Sequence, residues 1–555
     1  MIIRIIRFIF RGTLIFFELV FAAVIVLLTY IMIVAPVPDP DMPDIQVPER
    51  VKVAENHYKI GKNWIRKNEF GVWEMYIEGD PYERGLIYGK LAGELVRSQE
   101  EVFVSQIDNL IPSRVWQHFL RMMIGFFNKD LTSNIPQENL EEIYGVSKSF
   151  SDDYDYISSK YARVLNYHAA HDIGHALNDY SMVGCTSFAL SGDKTENHQL
   201  LVGRNFDFNM GDDFAKDKLI LFVNPTKGYK FASYSWAGFT GVVSGLNETG
   251  LSVTINAAKS DLPTGSKTPI SIVAREILQY ASTIDEAIRI AKKRQTFVSE
   301  TFMVSSKKDG RAALIEKSPS KLGVYYSNTN TLICANHYQS TAFSKDSTNI
   351  QNIAQSDSKW RYQRTQKLLG AHNGFTVAGA IAILRDQKGL DEDTLGAGNP
   401  RAINQLLAHH SVVFEPASET MWISTAPYQL GNFIAYDLKE IFSQKGQYAT
   451  PKSTPQDPFL YTGAYQSFVA YKATRNKIVA FVNFGKPLHL SSREIRDFIA
   501  SNSELYLTYE YLGNYYQKKQ DKKTAKKYYD LALTKTTASA QVTQALKQKS
   551  RECQQ

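Results

Sequence analysis

Cysteine is scarce in this chain. Its 555 residues include three cysteines, Cys185, Cys334 and Cys553, and no C-x-x-C pair. Neither a zinc ribbon nor a disulfide framework is therefore indicated, because both are built from several paired cysteines. Cys334 lies in an apolar run, where a small buried hydrophobe is the expected role. Cys185, between Gly184 and Thr186, is the thiol that needs a chemical explanation.

Long runs of one charge are also missing. The formal net charge is +7, with 21% charged and 44% hydrophobic residues, which is an ordinary globular composition. The absence of a long basic run argues against nucleic-acid binding. The length allows a large domain with appendages.

Residues 14–35 contain one charged residue, Glu18, and are otherwise an apolar run that the polar Thr29 interrupts. About twenty apolar residues span a bilayer, so this run predicts a transmembrane helix within residues 1–35. The flanking charges are Arg4, Arg7 and Arg11 before the run and Asp39, Asp41 and Asp44 after it. This asymmetry predicts a single-pass cell-membrane protein with a cytoplasmic N-terminus and its body outside the cytoplasm. The run is long and lacks a small-x-small site, which favours an uncleaved signal anchor over a cleaved signal peptide.

The remaining chain divides by composition and periodicity. Residues 36–50 are rich in proline and predict a stiff, extended spacer. Residues 51–184 are predicted to be mainly helical. In residues 185–495, strands, helices and strands again predict layered α+β structure. The predicted strands are 186–190, 200–208, 219–223, 231–236, 241–245, 251–256, several within 301–336, 411–415, 420–424 and 478–483, and the helices are 270–281, 284–293 and 359–369.

The tail, residues 503–540, follows the tetratricopeptide pattern. The matching positions are Tyr509, Leu512, Gly513, Tyr516, Ala525, Tyr529 and Ala532. Small residues in this pattern let two helices touch, which predicts a C-terminal helical hairpin. One repeat cannot bury a solenoid core by itself. The tail is therefore expected to cap the main domain or to contact a protein partner, with a helical hairpin that is not a repeat as the alternative.

The position of Cys185 inside the chain is informative. A thiol attacks carbonyl carbon as the thiolate, and a free cysteine is mostly protonated near neutral pH. If the bond between Gly184 and Cys185 were cut, Cys185 would carry an α-amine, whose pKa of about 7.7–8.0 suits a general base. Arg204 is placed to favour the thiolate, and Asp207 to hold the ammonium or a polar substrate group. Three residues apart on a regular strand, these two side chains would point to opposite faces, so a bulge or a strand end is needed.

Several motifs occur in a fixed order around this cysteine. They are GDPYERG at 79–85, GCTSF at 184–188, GRNFD at 203–207, GLNETGL at 245–251, Asn336-His337, and S-x-x-R-x-x-R at 358–364. Together they resemble the N-terminal nucleophile (Ntn) hydrolases, in particular the C45 group typified by acyl-coenzyme A:6-aminopenicillanic acid acyltransferase. Choloylglycine hydrolases and penicillin V acylases are related families. The resemblance covers residues 73–484.

The resemblance implies a four-layer αββα sandwich that cleaves itself before Cys185 and then attacks a non-peptide amide. In this family pattern Cys185 is the nucleophile and, through its amine, the base. Arg204 and Asp207 support it. Asn336 donates to the oxyanion, with the backbone N–H near Asn256 as a second donor. Arg361 matches a site arginine, with Arg364 as the alternative. The smallness of Gly184 is expected to allow the bent backbone of an N→S acyl shift.

Three histidines, His168, His171 and His175, share one face of a predicted helix. This spacing can hold a metal. A structural or surface role is the favoured interpretation, with a role in cleavage as a further alternative. No metal or cofactor is predicted.

The sequence therefore predicts a membrane-anchored, self-cleaving cysteine amidohydrolase or acyltransferase for small N-acyl amides. Hydrolysis and acyl transfer share one thioester, so the sequence leaves them open. Two alternatives remain: a non-catalytic envelope scaffold that uses its helical tail, and an uncleaved cysteine hydrolase that pairs Cys185 with His337.

Overall fold

The computed structural model describes residues 36–111, 113–177, 184–208, 210–261, 265–444 and 451–554. Within the first 35 residues it describes residues 13, 15, 18–22, 25, 26, 29 and 30.

Two sheets form the body. In the described residues the larger sheet has eleven strands in the order β1-β2-β3-β4-β7-β8-β9-β10-β11-β12-β13, and the smaller has six in the order β14-β5-β6-β15-β16-β17. The strands are β1 Val51–Ala54, β2 His57–Ile60, β3 Asn63–Lys67, β4 Trp73–Gly79, β5 Thr186–Leu190, β6 Leu201–Asp207, β7 Lys218–Pro225, β8 Phe231–Trp236, β9 Ser244–Asn247, β10 Leu251–Ala257, β11 Glu300–Ser306, β12 Arg311–Lys317, β13 Leu322–Tyr325, β14 Thr331–Cys334, β15 Ala408–Glu415, β16 Thr420–Ser424 and β17 Phe433–Asp437.

Helices cover both outer faces of the sheet pair and form the C-terminal region. They are α1 Pro81–Leu110, α2 Arg114–Phe127, α3 Leu131–Asn134, α4 Gln137–Ser147, α5 Lys160–Leu177, α6 Ile270–Tyr280, α7 Ile284–Lys293, α8 Ser347–Gln355, α9 Ser358–Gly370, α10 Val377–Leu384, α11 Leu438–Ser443, α12 Gly463–Phe484, α13 Ser492–Ser501, α14 Tyr506–Lys518, α15 Lys522–Leu533 and α16 Ala540–Glu552.

The sequence of β7 shows why the layers form. Side chains alternate between the two faces of a strand. Leu219 and Leu221 lie in the apolar core that the large sheet shares with α1, α4 and α6. Ile220 and Phe222 lie in the core between the two sheets. Because both faces are buried, this strand is a continuous apolar run rather than an alternating one.

The small sheet is covered in the same way. On β15, Val412 faces the core between the sheets. Its neighbour Val413 packs with Leu369 of α9 and Ile381 of α10 on the outer face. The predicted mixed α and β layering is thus confirmed, as two sheets between helical layers.

Two stretches differ from the predicted secondary structure. Residues 51–79, predicted as part of a helical region, contain β1 to β4, and β4 pairs in parallel with β7 inside the large sheet. Residues 478–483, predicted as a strand, lie within α12. Short apolar runs look alike in helices and strands, and here the tertiary context decides.

The predicted transmembrane helix is wrong. A span needs about twenty apolar residues in one helix, and no helix of the described residues is long and apolar enough to cross a membrane. Part of the stretch 14–35 lies outside the described residues, and its Tyr30 ring lies 6.1 Å from the ring of Phe126 in α2. The prediction of a single-pass membrane protein depended on this helix and is wrong for the same reason.

The segment 36–50 follows the surface of the body. Val37, Met42 and Val47 pack against the core beneath α1 and α4. Lys90 donates to the carbonyl oxygen of Val47 over 2.7 Å. This proline-rich stretch contains no regular helix or strand, and it contacts the body at these points.

The predicted C-terminal hairpin is present as α14 and α15. Leu512, Ala525, Tyr529 and Ala532 are fully buried in an apolar core that also contains Leu406 of the main body. Asn399 donates to the carbonyl oxygen of Thr536 over 2.9 Å. The tail is thus packed onto the main domain.

Candidate active site

Cys185 lies immediately before β5, in the smaller sheet. Its side chain is fully buried in the core beneath the large sheet. Burial raises the pKa of the thiol to about 11, although Arg204 and a hydrogen bond with the Asp207 backbone lower it. In the unbroken chain this thiol is therefore protonated near neutral pH.

Arg204 is the cation beside this thiol. It lies on β6 opposite Ser187 of β5, two residues from the cysteine. Its Nη2 donates to Cys185 Sγ over 3.6 Å, and its Nη1 donates to Ser244 Oγ over 2.6 Å. Nη2 also donates to the carbonyl oxygen of Ile255. The guanidinium is thus fixed in one orientation against the sulfur.

Asp207 reaches the same site because it ends β6. The pairing of β6 with β15 shifts register there, because β15 has one extra residue between Ala408 and His410. Asp207 thus lies at a strand end, opposite an irregularity of the neighbouring strand. Oδ2 accepts a hydrogen bond from Gln405 over 3.1 Å, while buried Oδ1 has no hydrogen-bond partner among the described residues. Burial raises the pKa of Asp207 to about 7, although Arg361 and Arg204 lower it.

Arg361 approaches from α9. Its Nη1 donates to the main-chain oxygen of Cys185 over 2.7 Å and to Thr186 Oγ1 over 3.1 Å. Its Nη2 donates to Asn336 Oδ1 over 2.8 Å and to Asp357 over 3.0 Å. The alternative arginine, Arg364, pairs instead with Asp386 and Glu392.

Each of the two predicted asparagines donates to the backbone of the residue next to the other. The Asn336 amide nitrogen donates to the carbonyl oxygen of Ala257 over 2.9 Å. Asn256 accepts from Ser187 Oγ over 2.8 Å and donates to the carbonyl oxygen of Ala335 over 3.2 Å. Asn256 therefore links β10 to β5 and to the end of β14.

The histidines considered in the sequence have other partners. The His337 ring bonds Ser358 over 2.7 Å, and burial lowers its pKa to about 4. His168 is buried and bonds the carbonyl oxygen of Val164 over 2.8 Å and Thr240 Oγ1 over 3.0 Å, in keeping with a structural role. The side chains of His171 and His175 lie outside the described part of the structure. Among the residues described, no cluster of three or more ligands could hold a metal ion.

Three side chains at the site were not found from the sequence. Gln405 donates to the carbonyl oxygen of Gly184 over 2.8 Å. Ser244, which holds Arg204, also bonds His410 Nε2 over 2.9 Å. Gln405 is 221 positions from Gly184 along the chain, and no motif surrounds it. A sequence pattern gives no signal for such a contact.

The arrangement has a definite chemical capacity. A buried thiol lies against a fixed guanidinium, next to a carboxylate with one unpaired oxygen. The peptide bond that precedes the thiol is held through its carbonyl oxygen by an amide donor. Such groups serve nucleophilic attack at a carbonyl carbon followed by stabilisation of the oxyanion.

Comparison with known proteins supports this chemistry. Residues 194–427 match the family model described as acyl-coenzyme A:6-aminopenicillanic acid acyl-transferase. The matched segment includes Arg204, Asp207, Asn256, Asn336 and Arg361, while Gly184 and Cys185 precede it. The match covers less than half of the chain and supports an enzyme similar to this acyl-transferase family over that segment.

Two curated relatives are similar over part of the chain. One is an uncharacterized protein of Archaeoglobus fulgidus, 26% identical over 359 residues, which are 57% of this chain and 58% of the relative. The other is protein dcd1A of Dictyostelium discoideum, 24% identical over 256 residues, which are 42% of this chain and 54% of the relative. The chain thus spans somewhat over half the length of the curated relatives it matches.

Two solved structures are also similar. One is the Caenorhabditis elegans ortholog of N-acylethanolamine-hydrolyzing acid amidase, with 18% identity, a TM-score of 0.31, and coverage of 42% of this chain and 93% of that chain. The other is a mutant of the conjugated bile acid hydrolase from Clostridium perfringens, with 14% identity, a TM-score of 0.32, and coverage of 49% of this chain and 97% of that chain.

Proposed function

We propose that this protein is a cysteine amidohydrolase or acyltransferase of the Ntn type, activated by cleavage of its own bond between Gly184 and Cys185. The observation that carries the proposal is the surroundings of that internal bond. The thiol of Cys185 accepts a hydrogen bond from Arg204, and Asp207 Oδ1 is buried without a partner among the described residues. A free α-ammonium on Cys185 would supply the missing partner of that oxygen.

Activation proceeds by an N→S acyl shift. Cys185 Sγ attacks the carbonyl carbon of Gly184, the bond from that carbon to the Cys185 nitrogen breaks, and the nitrogen takes up the thiol proton. Water then hydrolyses the thioester, which leaves a carboxylate on Gly184 and a free thiol and amine on Cys185. The new amine titrates at about 7.7–8.0, so it can act as the base at working pH.

The same thiol then attacks the substrate. Asn336 is the proposed side-chain donor to the substrate oxyanion, with the backbone N–H near Asn256 as the second. In the unbroken chain one N–H of the Asn336 side-chain amide donates to the carbonyl oxygen of Ala257, which leaves the second N–H of that amide as the proposed donor. Arg361 would position Asn336, because its guanidinium holds Asn336 Oδ1.

The substrate class is a small molecule with an N-acyl amide. The acyl group passes to Sγ as a thioester, and the amine leaves with a proton. Transfer to water gives hydrolysis, and transfer to an amine gives acyl transfer. The matched family model and the geometry of Cys185 both support this class.

The two pieces would stay together after cleavage. Strand β4 precedes the cut and β7 follows it, and they pair along seven positions from Trp73 with Leu219 to Gly79 with Pro225. The helices of the first piece also share one apolar core with the second. Separation would therefore require breaking a sheet and opening a core.

The C-terminal hairpin is proposed to be a single tetratricopeptide-like unit that braces the enzyme. Its apolar core includes Leu406, next to Gln405. Arg401 donates to the carbonyl oxygen of Ala538 over 3.1 Å. These contacts favour a cap on the catalytic body over an exposed docking module.

Chain masses and N-termini of the purified protein test the proposal. We expect a fragment that begins at Cys185 and a Cys185→Ala variant that stays whole. The fragments should acylate with an N-acyl amide and show a mass increase on Cys185. An unbroken wild-type chain that hydrolyses such amides would contradict the Ntn mechanism, and an unbroken, inactive chain would favour a scaffold.

A further inference from the structure

Gln405 contacts the carbonyl group that self-cleavage would attack. Its Nε2 donates to the main-chain oxygen of Gly184 over 2.8 Å and to Asp207 Oδ2 over 3.1 Å. The side chain is buried, with 4% of its surface exposed. The main-chain oxygen of Gly184 can only accept a hydrogen bond, so the nitrogen and not the oxygen of the Gln405 amide must face it.

Gly184 is the residue that allows this approach. A Cβ atom placed on Gly184 would lie 2.4 Å from Gln405 Nε2 and 3.0 Å from its Oε1. The closeness of Gln405 therefore requires a residue without a side chain at position 184.

The backbone around Gln405 is fixed by contacts outside the sandwich. The Leu406 N–H donates to Asn404 Oδ1 over 3.0 Å, and the Asn404 N–H donates to the carbonyl oxygen of Asp386 over 2.8 Å. Upstream, Asn399 and Arg401 bond the chain that follows α15. A donor held in this way needs little reorganisation when charge develops on the oxygen it faces.

We propose that Gln405 is a further catalytic residue of self-cleavage and that its Nε2–H stabilises the oxyanion on Gly184. This proposal rests on the proposed function. When Sγ attacks, the carbonyl electron pair moves onto the Gly184 oxygen. It returns as the bond to the Cys185 nitrogen breaks and that nitrogen takes the proton. The contact ends when Gly184 departs, so Gln405 serves maturation more than turnover.

The test compares the same change at two buried glutamines. Gln405→Met keeps the length of the side chain and removes the donor. Gln429→Met is the matched control, because Gln429 is also buried and donates to the carbonyl oxygen of Leu384 over 3.2 Å. The measurement is the fraction of uncleaved chain over time by intact mass, after dilution from denaturant.

We expect Gln405→Met to mature about 10²–10³-fold more slowly, the usual cost of losing one oxyanion donor. Gln429→Met should mature within about threefold of wild type. The turnover number per matured chain should fall much less than the maturation rate in Gln405→Met. Maturation of Gln405→Met at the wild-type rate would overturn the proposed role of Gln405 and leave the proposed function standing. An uncleaved wild-type chain would overturn the proposed function, and the role of Gln405 with it.

Gly184→Ala gives an independent measurement if Gln405→Met melts early. Its Cβ displaces the Gln405 amide without altering that residue. We expect slow maturation, and a double variant with Gln405→Met no slower than the slower single variant. Wild-type maturation of Gly184→Ala, or full additivity of the two effects, would overturn the proposal.

Discussion

The guanidinium of Arg361 donates to the main-chain oxygen of Cys185 over 2.7 Å, across 176 positions of sequence. Its second nitrogen holds Asn336 Oδ1 over 2.8 Å. One buried side chain thus joins the backbone of the proposed nucleophile to the proposed oxyanion donor.

Arg361→Lys should lower kcat/KM of the matured enzyme by about 10²-fold, because lysine cannot hold two acceptors in a planar fork and a small misplacement of Asn336 is costly. Arg364→Lys is the matched control. It lies on the same helix and pairs with Asp386 and Glu392, away from Cys185. Steady-state kinetics with one N-acyl amide would measure both. Equal losses in the two variants would contradict the positioning role of Arg361.

The stability of the uncleaved chain should depend on pH through Asp207. Burial raises the pKa of Asp207 in the folded chain to about 7, from 3.8. Between these values the folded chain binds more protons than the unfolded chain, so the free energy of unfolding falls as pH rises. The slope is at most about 1.4 kcal/mol per pH unit. In the Cys185→Ala background, the Asp207→Asn variant should therefore gain stability relative to the chain that keeps Asp207 as the pH rises from about 4.5 to about 8.

Thermal melts across that range measure the effect. Asp530→Asn is the control, because burial of Asp530 is outweighed by hydrogen bonds with Lys526 and Ser550 and its pKa is lowered. Asp530 is thus mostly ionised in both states across the range, and its difference curve should be nearly flat. A flat curve for Asp207→Asn would show that its carboxyl is not protonated in the folded chain.

Ser244 should affect the thiol through Arg204. Ser244→Ala removes an acceptor of Arg204 Nη1 and loosens the cation that stabilises the thiolate. We expect the pH midpoint of Cys185 alkylation in the matured enzyme to rise and turnover to fall about tenfold, as for one lost hydrogen bond. Ser252→Ala is the matched control, because Ser252 is buried and bonds Ser305 on another part of the sheet. Mass spectrometry would locate the alkylated cysteine, and an unchanged midpoint would contradict the link.

Strands in the core could be predicted where a short apolar run in the sequence is also fully buried in the fold. The predicted strands 186–190 and 231–236 match β5 and β8 residue for residue. The strands within residues 51–79 were missed because short apolar runs look alike in helices and strands, and the distant partner of β4, β7, lies across the proposed cut. The transmembrane helix predicted within residues 14–35 rested on hydropathy alone, and no helix of the described residues is long and apolar enough to span a membrane.

The site was predictable only in part. Arg204 and Asp207 lie near Cys185 on the neighbouring strand, so order along the chain indicated them. Arg361, Asn336 and Asn256 followed from a family resemblance, and the structure brings Arg361 to the backbone of Cys185. Gln405 had no local signal, since its contact with Gly184 arises from the packing of a distant loop.

The close contact of the tail helices gives a final prediction. A Cβ on Gly513 of α14 would lie 2.4 Å from the Tyr529 ring of α15. Gly513→Ala should lower the free energy of unfolding by about 1–3 kcal/mol through overpacking, less the roughly 1 kcal/mol gained in helix propensity. Gly463→Ala, at the start of α12, meets nothing within 4 Å and is the control.

Calorimetry would measure the unfolding of Gly513→Ala, and residual activity after heating would measure its inactivation. Asn399 and Arg401 join the tail to the segment that carries Gln405. Loosening α14 should therefore release that segment, and heat inactivation of Gly513→Ala should begin at a lower temperature, in step with its melting. A variant with lowered Tm for the tail but unchanged inactivation would show that the tail does not brace the catalytic body.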